Sequence, residues 1–265
     1  MAEITLTGYC DRFSVKPGEE INFMVSAEGT ERAEAQLVQL IHGDETPGGP
    51  GFLEKEVPGP IDGAQTVFQQ FTQAGSFARV VDPECHLAVE GSFTLWAYVW
   101  PTTPEKGRQG ILTRWSVMTN RGYALGINET GSLEFWVGDG RKVESVRAEV
   151  GLNPRQWYFV AASYERSSGQ VLLYQKALEN RYSNLLSKIV PLDMDSFVTE
   201  SLPIEPADAE LDFLWAGSND HNAERGNFVS QLYNGKIDRC GVTASAMTRA
   251  ELDQLTVAGP GESEY

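Results

Sequence analysis

The twenty residues from Gln156 to Gln175, QWYFVAASYERSSGQVLLYQ, leave this chain few ways to fold. Two dense apolar runs, WYFVAASY and VLLYQ, flank a short polar turn at Ser167-Ser168-Gly169. Short runs rich in aromatic and β-branched residues, joined by a turn containing glycine, predict a β-hairpin. In the first run Tyr158, Val160 and Ala162 alternate with Trp157, Phe159 and Ala161, so both faces are apolar. A strand that must hide both faces needs a layer on each side. A helix is the rival for so short a run, but its length and aromatic content favour strand.

The rest of the chain reads as strands around that pair. Residues 2–9 alternate, Pro17-Gly18-Glu19 marks a turn, and Ile21 to Ala27 and Ala35 to Ile41 follow as strands. Together they predict a small, partial immunoglobulin-like sheet. From His42 to Pro60 the glycines and prolines forbid regular structure over most of the length, which places a domain seam there. The expected division is a small N-terminal β segment over 1–60, a second domain over 61–258 and a tail over 259–265.

In the second domain VFQQF and FARVV flank Ala74-Gly75-Ser76, and Gly91 to Trp100 is again apolar on both faces. Gly110 to Trp115 is a strand. Tyr123 to Ile127 and Leu133 to Val137 form a hairpin around Asn128-Glu129-Thr130-Gly131, and Val143 to Val150 is an outer strand. Lys176 to Pro206 reads as an excursion with one short strand at Lys188 to Leu192. Leu211 to Ala216 and Gly235 to Cys240 are late strands. Thr248 to Leu255 carries a helix signal, with Thr248 as cap and Glu251 three residues on. Many short strands and a lone helix predict an all-β, two-sheet jelly-roll sandwich with one short C-terminal helix.

Charge narrows the partners. With 21 Lys and Arg against 37 Asp and Glu, the net charge of −16 argues against nucleic acid or an anionic membrane. No basic start precedes an apolar segment at the N-terminus, and no apolar run approaches the roughly 20 residues of a membrane span. Cys10, Cys85 and Cys240 are odd in number and far apart, matching neither a disulfide framework nor a zinc spacing. Reduced thiols and a cytoplasmic location are expected.

Chemistry is sparse in the pattern. His42 and Asp44 sit in a Gly/Pro-rich loop, where they either shape a pocket or tie down the loop backbone. Lys106, Arg108 and Arg114 are read as a basic loop on an acidic protein, a candidate partner contact. Trp100, Trp115 and Trp136 are the tryptophans to check for exposure, since an exposed indole can stack on a flat ligand. Glu210-x-Asp212 begins a paired-carboxylate pattern, but Trp215 stands where its last Glu belongs, so the two acids of a glycosidase are incomplete. Asp139, Asn219, Asp220 and Asp238 are scattered oxygen donors outside any tight calcium motif. No catalytic residue and no metal ligand emerges.

GSFTLWAYVWP with RQGILTRW, the hairpin QWYFVAASYERSSGQVLLYQ, and LYNGKIDRCGVTASAMTRAEL resemble, in this order over residues 66 to 257, laminin-G-like, concanavalin A-like jelly rolls. A narrower resemblance rests on GYCDRFSVKPGEEINFMVS, LIHGDETPGGPGF, KGRQGI and LYQKALENR, which are similar to the N-terminal part of the large subunit of the N,N-dimethylformamidase family. That family hydrolyses N,N-dimethylformamide to dimethylamine and formate. The resemblance implies a mononuclear iron, held by two tyrosines and a glutamate in a C-terminal domain not contained in these residues, so no iron ligand carries over. It implies a non-catalytic scaffold or interaction region supporting a catalytic domain and a small subunit in a homo- or hetero-oligomer. The alternative expectation is a carbohydrate-binding, lectin-like module.

Overall fold

The computed structural model describes residues 4–82, 91–178, 194–208 and 211–257. The chain divides into two compact units, Met1–Thr72 and Gln73–Tyr265.

Among its described residues the first unit contains six short strands: β1 (Thr5–Cys10), β2 (Phe23–Glu28), β3 (Arg32–Ala35), β4 (Val38–Asp44), β5 (Gly51–Glu56) and β6 (Gly63–Thr66). They pair antiparallel as β1 with β2, β3 with β6, and β4 with β5. The expected single sheet is therefore three separate two-stranded ladders. The expected strand Ala35 to Ile41 is broken because the Leu37 N–H donates to Asp62 Oδ1 at 2.8 Å instead of to a ladder. The region expected to be an irregular seam, His42 to Pro60, holds the β4–β5 hairpin, and β6 pairs back into the first unit, so the unit extends to Thr72. Gly48 and Gly51 supply the positive φ values, 89° and 84°, that let the chain reverse there.

This unit buries little. Ala27 and Val67 are its buried apolar residues, while Leu6, Tyr9, Phe13, Phe23, Phe52 and Phe68 are among many left exposed. Two-stranded ladders expose one face each and are marginal alone.

The second unit starts with β7 (Ala78–Val80), β8 (Phe93–Pro101), β9 (Gln109–Ser116), β10 (Arg121–Ile127), β11 (Ser132–Asp139) and β12 (Val143–Gly151). It continues with β13 (Tyr158–Glu165), β14 (Gln170–Ala177), β15 (Ser196–Ser201), β16 (Phe213–Trp215), β17 (Ser218–Asn222), β18 (Gly226–Ser230), β19 (Gly235–Thr243) and the helix α1 (Arg249–Val257). The opening hairpin is β13–β14, with Glu165 opposite Gln170. Three sequence expectations differ. Val67 to Phe71 forms no strand, the hairpin β17–β18 forms where the sequence shows no apolar alternation, and β15 pairs with β14 inside the expected excursion. The expected strand at Lys188 to Leu192 and the tail over 259–265 lie outside the described residues.

Two sheets stack. One runs β12-β11-β10-β9-β16-β7, with β17 and β18 attached at β9; the other runs β15-β14-β13-β8-β19. Between them lie Phe93, Leu95, Ile111, Leu125, Phe135, Val160 and Tyr164, all 1% exposed or less. Each large side chain buried this way contributes about 1.5–3 kcal/mol. The second sheet also hides its other face, as the two-faced runs predict. Tyr98, Phe159 and Tyr174 there pack with Leu252 of α1. Tyr98 Oη donates to the Leu255 carbonyl at 2.7 Å and Tyr174 Oη to Asp253 Oδ1 at 2.6 Å. The helix begins where its cap predicts: the Thr248 N–H donates to Glu251 Oε2 at 2.7 Å, and the Glu251 N–H to Thr248 Oγ1 at 3.4 Å.

Candidate functional site

The larger sheet handles its outer face differently. Trp115 on β9 and Trp136 on β11 lie there edge to face, ring centroids 6.3 Å apart. Glycines on β10 and β11 make room: a Cβ at Gly126 would meet the Trp136 ring at 2.6 Å, and one at Gly138, two strands away from β9, the Trp115 ring at 2.8 Å. Both indoles are thereby sunk into the sheet and neither is offered to a ligand, Trp136 being 0% exposed.

Arg108 lies over that buried indole. Its guanidinium carbon sits 4.8 Å from the Trp136 ring centroid, and its Nη2 donates to Glu134 Oε2 at 3.2 Å. A guanidinium held by both an aromatic face and a carboxylate is fixed in orientation. Its Nε lies 3.7 Å from Glu129 Oε1. Arg108, Glu129, Glu134, Arg147 and Glu200 border a cleft of about 420 Å³. Asn128 also borders it, but its Oδ1 accepts the Thr130 and Ser132 N–H groups at 3.0 Å each and so serves the turn. The cleft can present charge of both signs to a polar ligand. Glu134 and Arg147 escaped the sequence reading; their signal is the period-two spacing that puts Glu134 on the same face of β11 as Trp136 and opposite Arg147.

The three basic candidates do not form one patch. Arg114 is not on the loop but on β9, where it is 8% exposed and its Nη2 pairs with Asp208 Oδ1 at 3.0 Å. Lys106 is exposed on the turn before β9 and borders a different groove, of about 600 Å³, with Phe77, Trp215 and Tyr233. Partial desolvation holds its amine below the usual lysine range. Only Arg108 reaches the charged cleft.

His42 and Asp44 are used by the β4–β5 hairpin itself. His42 Nδ1 lies 2.6 Å from the Gly51 carbonyl oxygen. Asp44 Oδ1 accepts the Thr46 hydroxyl at 2.6 Å and the Thr46 N–H at 3.0 Å, and these bonds hold its carboxyl below the usual range. Asp212 pairs with Arg79 at 3.3 Å, and Glu210 lies outside the described residues. Asp139 Oδ1 accepts the N–H groups of Arg141 and Lys142, both at 2.7 Å. Among the described residues no three His, Cys, Asp or Glu side chains gather as a metal site. Trp100 is half-buried beneath Lys236, whose Nζ lies 4.7 Å from the ring centroid, and Trp215 is the exposed indole, at 39%.

Residues 74–190 match the concanavalin A-like lectin/glucanases superfamily. The second unit is a concanavalin A-like sandwich. A solved structure of similar shape is the Ruminococcus gnavus IT-sialidase CBM40 bound to α2,3-sialyllactose, with TM-score 0.48 and 14% identity over 69% of this chain and 96% of that one. That likeness concerns the fold alone.

The whole chain also has relatives. It is 37% identical over 259 residues to the N,N-dimethylformamidase beta subunit of Alcaligenes sp., covering 97% of this chain and 34% of the relative. The beta subunit of Paracoccus aminophilus is likewise 37% identical, over 98% of this chain and 35% of its own length. Both are beta subunits, and that designation replaces the large subunit of the sequence-based resemblance. The chain spans about a third of the length of these curated relatives. No helix among the described residues is long and apolar enough to cross a membrane.

Proposed function

We infer that this chain is a non-catalytic β region of a dimethylformamidase-type beta subunit, a scaffold that supports the catalytic part of an enzyme hydrolysing N,N-dimethylformamide to dimethylamine and formate. The observation that carries this is the 37% identity running through 97% of the chain, across both units and not only the sandwich. Iron chemistry in this reading belongs to a separate catalytic domain, with a small subunit as further partner and the cytoplasm as the setting. The fixed Arg108 above Trp136 and the exposed Lys106 are the basic groups offered to those partners.

The test is the native mass of a tagged copy isolated from its source cells, paired with an assay for dimethylamine release. The expected result is an assembly containing an iron-bearing polypeptide that releases dimethylamine, and no release from the purified chain alone. Hydrolysis by the purified chain alone, or a bare 29.2 kDa monomer in cells, would overturn the reading.

One observation favours a second reading, carbohydrate binding: Trp215 is exposed on the 600 Å³ groove, with Asn234 and Lys106 beside it. An aromatic face with flanking polar groups suits a sugar ring. Trp215→Ala should abolish any tryptophan-fluorescence response to a glycan panel; the wild-type protein responding to no glycan removes this reading.

A further inference from the structure

The first unit holds a groove that its own residues do not fill. It measures about 900 Å³ and lies between the β1–β2 ladder, the β3–β6 ladder and the segment Val67–Thr72. Leu6, Tyr9, Phe23, Phe68 and Phe71 line it, and all five are exposed. Glu34 is the one carboxylate in its lining, and no basic side chain lines it. Exposed apolar surface that is contiguous and nearly free of charge marks a contact surface. Among the described residues no strand pairs with the outer edges of β1, β3 and β6, whereas the second edge of β2 is already partly used, the Ala27 N–H donating to the Phe68 carbonyl at 3.2 Å.

Resting on the reading above, we propose that this groove seats an extended apolar segment from the remaining two thirds of a dimethylformamidase-type beta subunit, which adds a strand to a ladder edge and fills the gap with alternate side chains. Three observations select this occupant. The lining sets aromatic and aliphatic side chains among the uncharged polar groups of Thr7, Ser26, Gln65 and Gln70, which calls for a ligand with apolar side chains and little charge. The unpaired edges call for backbone N–H and C=O groups, which a strand supplies and a small molecule does not. The unit lies outside the superfamily match that covers 74–190, yet the full-chain similarity runs through it in relatives about three times as long. The first unit thus accompanies the longer beta subunit and not the sandwich fold as such.

The experiment coexpresses the tagged 265-residue chain with the part of the Alcaligenes beta subunit outside the match. It then compares amide hydrogen exchange in the complex and in the chain alone. The expected result is at least tenfold slower exchange over β1, β2, β3 and β6 in the complex, with the sandwich amides unchanged. A double variant, Leu6→Asp with Phe68→Asp, should weaken association at least tenfold, while Leu40→Asp with Phe52→Asp on the β4–β5 hairpin should not. A complex that forms with the groove amides still exchanging freely would overturn the groove proposal and leave the functional reading standing. Failure of any complex to form, with the chain folded, would remove both. The wild-type exchange pattern decides the matter even if the double variant does not fold.

Discussion

Phe93 and Phe13 show how unequally the two units are built. Phe93, at 0% exposure, is ringed by Tyr123, Phe135 and Tyr164 at centroid distances of 4.5, 6.1 and 5.4 Å. Phe13 lies wholly in solvent between β1 and β2. The sandwich has a sealed interior, one outer face closed by a helix and the other by tryptophans set over glycines. The first unit has local hydrogen bonds and turns but almost no interior. Secondary structure can be specified by short-range chemistry; stability needs apolar area removed from water. The sandwich has both, and the first unit has the former.

The comparison is broken most directly by identical truncations in the two units. Phe93→Ala should cost about 3–5 kcal/mol in urea unfolding, as for other buried aromatics. Phe13→Ala should stay within about 0.5 kcal/mol, as for surface positions. Equal effects would mean that the first unit has a hidden core.

Acid sharpens the contrast. In the first unit Asp11, Asp44 and Asp62 each accept hydrogen bonds from neighbouring groups, chiefly Asn22, Thr46 and Gly59, and each carboxyl is held below its ordinary value. A depressed carboxylate adds stability that is present above its unfolded pKa, about 3.8, and is lost as the pH falls through the folded value. Asp139, Glu165 and Glu251 behave alike in the second unit, but there a core remains when they protonate. Below about pH 4 amide exchange should rise first over β1 to β6, and only at lower pH over β8 and β13. A single cooperative acid transition would refute this.

A smaller effect comes from the helix cap. Thr248→Ala removes a side-chain acceptor at the start of α1 and should cost about 1 kcal/mol. It should loosen α1 without disturbing the inter-sheet core, which near-ultraviolet circular dichroism and exchange over Leu252 can separate. The smallest effect is at the thiols. Cys10 is exposed, whereas burial pushes the Cys240 thiol up to about 12. Iodoacetamide at neutral pH should therefore modify Cys10 and spare Cys240, with no measurable change in unfolding midpoint. Alkylation of both, read by peptide mass, would show the sandwich opening at β19.

The sandwich was legible because its strands carry their burial in their composition. A run such as YFVAASY has no polar face to turn outward, so two covering layers follow from the residues alone. The helix was legible from two residues, Thr248 and Glu251. The first unit was not, because its strand breaks depend on distant partners: nothing near Leu37 announces that Asp62 will take its N–H. The β17–β18 hairpin hid for the opposite reason, its residues SNDHN and GNFVS having no apolar alternation. At the site, charge was visible and placement was not. Arg108 and Arg114 look alike in sequence, yet one crosses an indole beside a cleft and the other is enclosed on β9. Gly126 and Gly138 are a signal the sequence reading left unused: each leaves the space into which the Trp136 or Trp115 ring settles.

The pairing of β8 with β19 bears on how the polypeptide is made. Among the described residues β8 is the second strand of its unit, and one of its two neighbours is the last, β19, with Trp100 opposite Lys236. Contacts so remote along the chain slow folding, because a long loop must close before they form. During synthesis the edge of β8 that pairs with β19 stays open until residues 235–243 leave the ribosome, and Tyr98 stays uncovered until α1 follows. For that interval the nascent chain carries an open strand edge, the kind of surface that pairs with other chains, so the order of the strands sets how long that hazard lasts.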